Sequence, residues 1–241
     1  MSALAHMIET RGVPTTALGL VRPHMETTRP PRALWTPFQL GRPLGEPGDP
    51  AFQRRVLLHA LSLLERQDGP VILEDFPDDP PNWRDTPGWR PPALPAPPEA
   101  IADWQAALAA EIAAMRPLWL RAQMRFGRTT VGLSGLPPEE WPAFAAPFLE
   151  GRLPDRAPPV GSPALSLRYL ADDLKAYGME AAQAEGPAPS SRQVADWFYP
   201  GTVAGRMLVA LRAAAMASDQ KGLQTVARFL VPVPNLPPGM A

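Results

Sequence analysis

The sequence predicts an α/β protein: a small, mostly parallel sheet at the amino end, followed by an all-helical region. Three observations carry this. Residues 2–21 read as a helix, a glycine and a short apolar strand. Beyond residue 100 the apolar residues recur at helical spacing, with no strand-like alternation. Between these regions the chain is crowded with proline, which continues neither a helix nor a central strand.

The helix is expected over Ser2 to Arg11, with Leu4, Ala5, Met7 and Ile8 on its apolar side. Gly12 ends it, since glycine turns out through a left-handed conformation at little cost. Residues 13–21 (Val-Pro-Thr-Thr-Ala-Leu-Gly-Leu-Val) are short, apolar and β-branched, as a buried parallel strand would be. Residues 22–32 are expected to form a loop. Ala33 to Leu40 reads as a second strand whose Pro37 favours an edge or an irregular end. Asp49 and Pro50 then open a helix to about Gln67, as a capping side chain and a first-turn proline do. Phe52, Val56, Leu57, Ala60, Leu63 and Leu64 are its expected apolar face. Val71 to Leu73 reads as one more short strand.

Three regions follow: 1–75, a partial α/β domain; 76–100, a proline-rich linker; and 101–241, the helical region. In the last, Trp104, Leu108, Ile112, Met115 and Trp119 form one stripe, and Pro138 opens a short helix to Leu149. Leu167, Leu170, Ala171 and Leu174 mark a further helix, with Arg168 and Asp172 at pairing distance along it. Helical patterns continue over 191–198, 202–217 and 219–230.

The 241 residues carry a formal charge of −1 and a pI near 6.3, so neither a nucleic acid nor a membrane is expected as partner. No apolar run reaches the roughly 18 residues that span a bilayer, no signal peptide is visible, and the cytoplasm is the expected compartment. The basic residues are nearly all arginine, and 34 residues are proline. With no cysteine there is no disulfide, thiolate metal site or cysteine nucleophile. His6, His24 and His59 lack the spacing of a zinc site, so no metal and no cofactor are expected.

No catalytic residue is assigned. Ser134 in Gly132-Leu133-Ser134-Gly135 lacks the G-x-S-x-G spacing of a nucleophile elbow. The acidic run Glu74, Asp75, Asp78 and Asp79 reads as a solvated stretch of linker. His24 falls in the loop after the first strand, where α/β folds place ligands. The Gly41–Gly45–Gly48 loop is not a phosphate loop. It fits either a ligand contact, with backbone approach at Gly41 and Gly45 and a carboxylate paired to Arg42, or a stiffened turn packed on the sheet. Arg32 fits a carboxylate ligand, an opposing subunit or a solvated strand edge. The aromatic run Trp197-Phe198-Tyr199 suits core packing or a subunit contact, with a pocket wall as the sharper reading.

Leu4-Ala5-His6-Met7-Ile8-Glu9-Thr10-Arg11-Gly12-Val13-Pro14-Thr15 carries a resemblance, together with Pro30-Pro31-Arg32-Ala33-Leu34, with 40–49 (Leu-Gly-Arg-Pro-Leu-Gly-Glu-Pro-Gly-Asp) and with Gln53. In order and spacing these resemble the selenoprotein B family of glycine, sarcosine, betaine and D-proline reductases, in particular its shorter bacterial relatives. The resemblance covers roughly residues 2–75. It implies an incomplete Rossmann-like sheet and reductive cleavage of a small amine-, amino-acid- or betaine-like substrate. The reactive selenocysteine or cysteine would stand near the amino end of the helix that leads into the Gly12-Val13-Pro14 strand. A helix N-terminus stabilises such an anion. No residue here fills that role. The reactive residue is therefore expected upstream of position 1, in a partner subunit, or lost from a descendant that no longer does the chemistry. In this reading His24, Arg32, Gly41, Arg42 and Gly45 line the substrate side. The rival reading is a non-catalytic subunit or interaction module whose aromatic helical part is the interface.

Overall fold

The structure is a computed structural model that describes residues 2–38, 40–45, 48–78, 85–154, 161–232 and 235–237. It divides into two compact units, Met1–Arg84 and Asp85–Ala241. The first carries a parallel three-stranded sheet and the second is helical, as the α/β expectation holds. Asp79 and residues 155–160 lie outside the described residues.

In unit 1, helix α1 (Ser2–Glu9) ends at Gly12, whose φ of 79° and N–H bond to the Glu9 carbonyl turn the chain away. Strand β1 (Ala17–Gly19) is shorter than the expected 13–21 and only half-buried, because it pairs on one side alone. Residues 22–32 are not all loop. Helix α2 (Arg22–Thr28) starts directly after β1, with Pro23 in its first turn, where the missing N–H costs nothing. It ends at Arg29 in a left-handed conformation. Strand β2 (Arg32–Trp35) is the central strand, not an edge. It stops two residues before Pro37, so the proline breaks no ladder bond. β1 pairs with β2 in parallel through Leu18 opposite Leu34, and β3 (Ile72–Asp75) pairs with β2 through Leu73 opposite Ala33.

Helix α3 (Pro50–Ser62) is capped by the Asp49 carboxylate, which accepts the Phe52 N–H, and it tightens into one further turn over Leu63–Glu65. Phe52, Val56, Ala60 and Leu63 are its buried stripe. Leu57 was expected there but is 42% exposed, because it sits about 100° round the helix from Val56. The stripe meets Leu34, Phe38, Ile72 and Phe76. The rings of Phe38, Phe52 and Phe76 form a triangle with centroids 5.5–5.8 Å apart. Each such tilted or edge-on pair adds about 0.5–1.5 kcal/mol beyond simple burial.

Unit 2 contains α4 (Trp104–Phe126), α5 (Trp141–Leu149), α6 (Pro163–Ala181), α7 (Ser191–Gly201), α8 (Val203–Ala217) and α9 (Lys221–Ala227). Leu108, Trp141, Leu167, Leu170, Phe198, Met207, Leu208 and Leu211 are fully enclosed. α7 and α8 approach so closely that a Cβ on Gly205 would lie 2.1 Å from the Phe198 carbonyl oxygen. Residues 85–98 fall within the stretch expected as linker, yet they are held along this unit. Thr86 exchanges backbone bonds with the Gln193 side chain, the Trp89 indole donates to the Ala182 carbonyl, and Arg206 donates to the Pro98 carbonyl. A proline-rich segment has few backbone N–H donors, and each of these bonds involves a side chain. No helix among the described residues is long and apolar enough to cross a membrane.

Candidate functional site

Parallel sheets present ligands at the carboxyl ends of their strands. In unit 1 that end is formed by Gly19, Trp35 and Asp75. Arg22, the first residue of α2, reaches across it. Its Nε donates to both Asp75 oxygens at 3.1 and 3.2 Å, and its guanidinium also bonds Glu26 and lies 5.9 Å from the Trp35 ring centre. The bond to Asp75, more than any other contact, holds the Arg22 guanidinium above its ordinary pKa.

The expected site residues divide between the two ends of the sheet. The 41–45 loop follows β2 and so belongs to the carboxyl end. Gly45 N–H donates to the Arg42 carbonyl at 3.0 Å and closes a turn there. Gly45 has φ 90°, and a Cβ would come within 2.6 Å of the Phe52 ring, so this glycine is needed for packing. Gly41 also has φ 90° but faces open space, and Arg42 is half-buried. His24 is not in a loop as expected: it is exposed on α2, two residues past Arg22. Arg32 opens β2 and is at the opposite end, roughly 10 Å away at about 3.3 Å per residue. Its guanidinium meets the chain's own Glu9 carboxylate at 2.7 Å. Glu9 Oε1 also accepts the Thr15 N–H and hydroxyl, each at 2.8 Å. Burial works to raise the Glu9 pKa, but these donors and Arg32 outweigh it and the net shift is downward. Arg32 therefore ties α1 to the sheet and does not join His24 and the 41–45 loop.

A second constellation joins residues that the sequence places in unrelated contexts. His59 Nε2 lies 2.6 Å from Glu74 Oε1, and the His59 ring stands edge-on to Phe76 at 5.5 Å. Arg66 donates to the other Glu74 oxygen at 3.1 Å and also pairs with Asp68. The acidic run is thus not a solvated linker. Glu74 and Asp75 are strand residues with separate partners, and Asp78 pairs with Arg55 at 2.5 Å. A carboxylate on one imidazole nitrogen fixes the ring and its tautomer, which is the supporting half of a general base. Arg22 and Asp75 had one usable signal, their position at a strand's end. The His59–Glu74 contact had none, since it depends on how α3 lies on β3.

In unit 2 the candidate groups prove to be internal fastenings. Ser134 is buried and its hydroxyl donates to Asp173 at 2.5 Å. Asp173, fully buried, also accepts the N–H groups of Gly132, Leu133 and Ser134 at 2.8–2.9 Å. Phe198 and Tyr199 are core residues, Trp197 is half-buried against that core, and Thr202 caps α8 by accepting the Gly205 N–H. Among the described residues no group of three His, Cys, Asp or Glu is placed to hold a metal ion. Comparison with protein-family models, with curated proteins and with solved structures finds no match to this chain.

Proposed function

We propose that this chain is a component of a reductase of the selenoprotein B type, binding a small amine-, amino-acid- or betaine-like molecule at the carboxyl end of the unit 1 sheet. The observation that supports it is the run from α1 through Gly12 into a parallel strand, with the 41–45 loop at the ligand-binding end of the next strand. The redox sulfur or selenium comes from another polypeptide segment, because these 241 residues hold no cysteine. Arg42 is the carboxylate partner in this reading, with Arg22 and Asp75 holding that end of the sheet rigid.

The test is calorimetric titration of glycine, sarcosine, betaine and D-proline, combined with a dithiol-driven cleavage assay. At least one ligand binds, the chain alone gives no turnover, and Arg42→Ala weakens binding roughly tenfold, the value of about 1.4 kcal/mol in one charge-assisted contact. Turnover by the chain alone overturns the assignment of the redox atom to another segment. A second reading, an interaction module, draws on the exposed Leu57, Leu58 and Leu61 of α3. It replaces the first if no ligand binds and the chain self-associates until Leu58→Arg is introduced.

A further inference from the structure

Unit 2 contains a trough unrelated to the reductase reading. It is lined by residues 95–98, by the small residues Ala107, Ala110 and Ala114 of α4, and by Val203 at the start of α8. The space is about 180 Å³. The remaining side chain in its wall is Glu111, which is only 8% exposed.

Glu111 is unusual in its partners. One oxygen accepts the Val203 N–H at 2.5 Å and the other the Ala204 N–H at 2.8 Å. Burial pushes its carboxyl pKa up, and those two amides offset this only in part. Among the described residues, no cation acts on it. Each carboxylate oxygen can accept a second bond. A buried carboxylate without a counter-cation is costly, and the amino end of α8 supplies only part of a positive charge.

We infer that the trough is a binding site for a small alkylammonium ion, its N–H groups donating to Glu111 and its carbons lying against the prolines and alanines. The chemistry narrows the class. An anion meets a carboxylate. A quaternary ammonium has no N–H to donate, and the described residues of the wall include no aromatic ring to receive it. An amino acid brings a carboxylate for which the described residues of the wall include no cation, since Arg206 is not among them and holds the Pro98 and Pro200 carbonyls. The volume equals roughly six waters at about 30 Å³ each, which suits a ring amine such as pyrrolidinium.

The test is titration of the full chain, ¹⁵N-labelled, with pyrrolidinium chloride at neutral pH. The Val203 and Ala204 amides report directly on the Glu111 carboxylate. Their resonances shift saturably, while tetramethylammonium and glycine leave them in place. Glu111→Gln weakens binding at least tenfold. Because that change also alters the cap of α8, Ala110→Leu serves as the second variant: Ala110 is exposed on α4, and leucine there fills the trough with Glu111 intact. It too weakens binding at least tenfold. No saturable shift in the wild type overturns the inference, as does an unchanged response in Ala110→Leu or an equal response to tetramethylammonium.

Discussion

The two units satisfy their most enclosed carboxylates in different ways. In unit 1, carboxylates on α1 and β3 meet side chains: Glu9 pairs with Arg32, Asp75 with Arg22, and Glu74 with Arg66 and the His59 imidazole. In unit 2, the buried carboxylates meet backbone N–H groups. Asp173 gathers the 132–134 turn, and Glu111 caps α8. The half-buried Glu180 does the same for Thr130 while also accepting from the Trp119 indole. A side-chain pair is long, partly solvated and open to salt and pH. A buried carboxylate on backbone amides fixes chain geometry, and its loss strands donors that water cannot reach.

Asp173→Ala should break this contrast most severely. It removes the acceptor of three amides and the Ser134 hydroxyl; the two Ser134 donors are buried, and each costs about 1–3 kcal/mol when left unpaired. A loss of about 3 kcal/mol or more is expected in chemical denaturation, nearly independent of salt. A loss under about 1 kcal/mol would mean that the turn finds other partners and that the carboxylate is not architectural.

Glu9→Gln should cost less, about 1–2 kcal/mol at neutral pH, because the pair is only partly enclosed. Its pH dependence has a definite sign. The folded-state pKa of Glu9 is lowered, so the unfolded chain binds more protons in acid. The stabilisation is present above the ordinary glutamate pKa and is lost as pH falls through the depressed one. Stability curves of the wild type and Glu9→Gln should therefore converge in acid, and a constant gap would exclude Glu9 ionisation as the cause. The smallest effect belongs to Arg55→Ala, which removes an exposed pair with Asp78. Under about 0.5 kcal/mol is expected, vanishing in about 1 M salt.

Much of the fold was legible from residue patterns. Gly12, the Asp49–Pro50 cap and the 167–174 stripe each signal through neighbours on the chain, and each stands where expected. Helix α2 stands where a loop is expected, and Pro23 does not oppose it because proline in a first turn is harmless. The central place of β2 was missed because Pro37 suggests an edge, and the strand ends before reaching it. The candidate site was less legible. The 41–45 loop is visible as a glycine-punctuated turn, but Arg32 looks available for a ligand until Glu9, 23 residues earlier, is placed against it.

Local chemistry was enough to set the α/β class, the parallel strands and the absence of any cysteine chemistry. Caps, apolar periods and residue types act over a few positions, so they can be read along the chain. Partner choice for charged groups could not. Whether Glu74 is a solvated linker acid or the support of His59, and whether Glu111 is a helix surface charge or the floor of a trough, depends on contacts 15 and 92 residues apart. Those pairings exist only once the elements pack, because electrostatic and hydrogen-bond energies follow distance in space and burial, not separation in sequence.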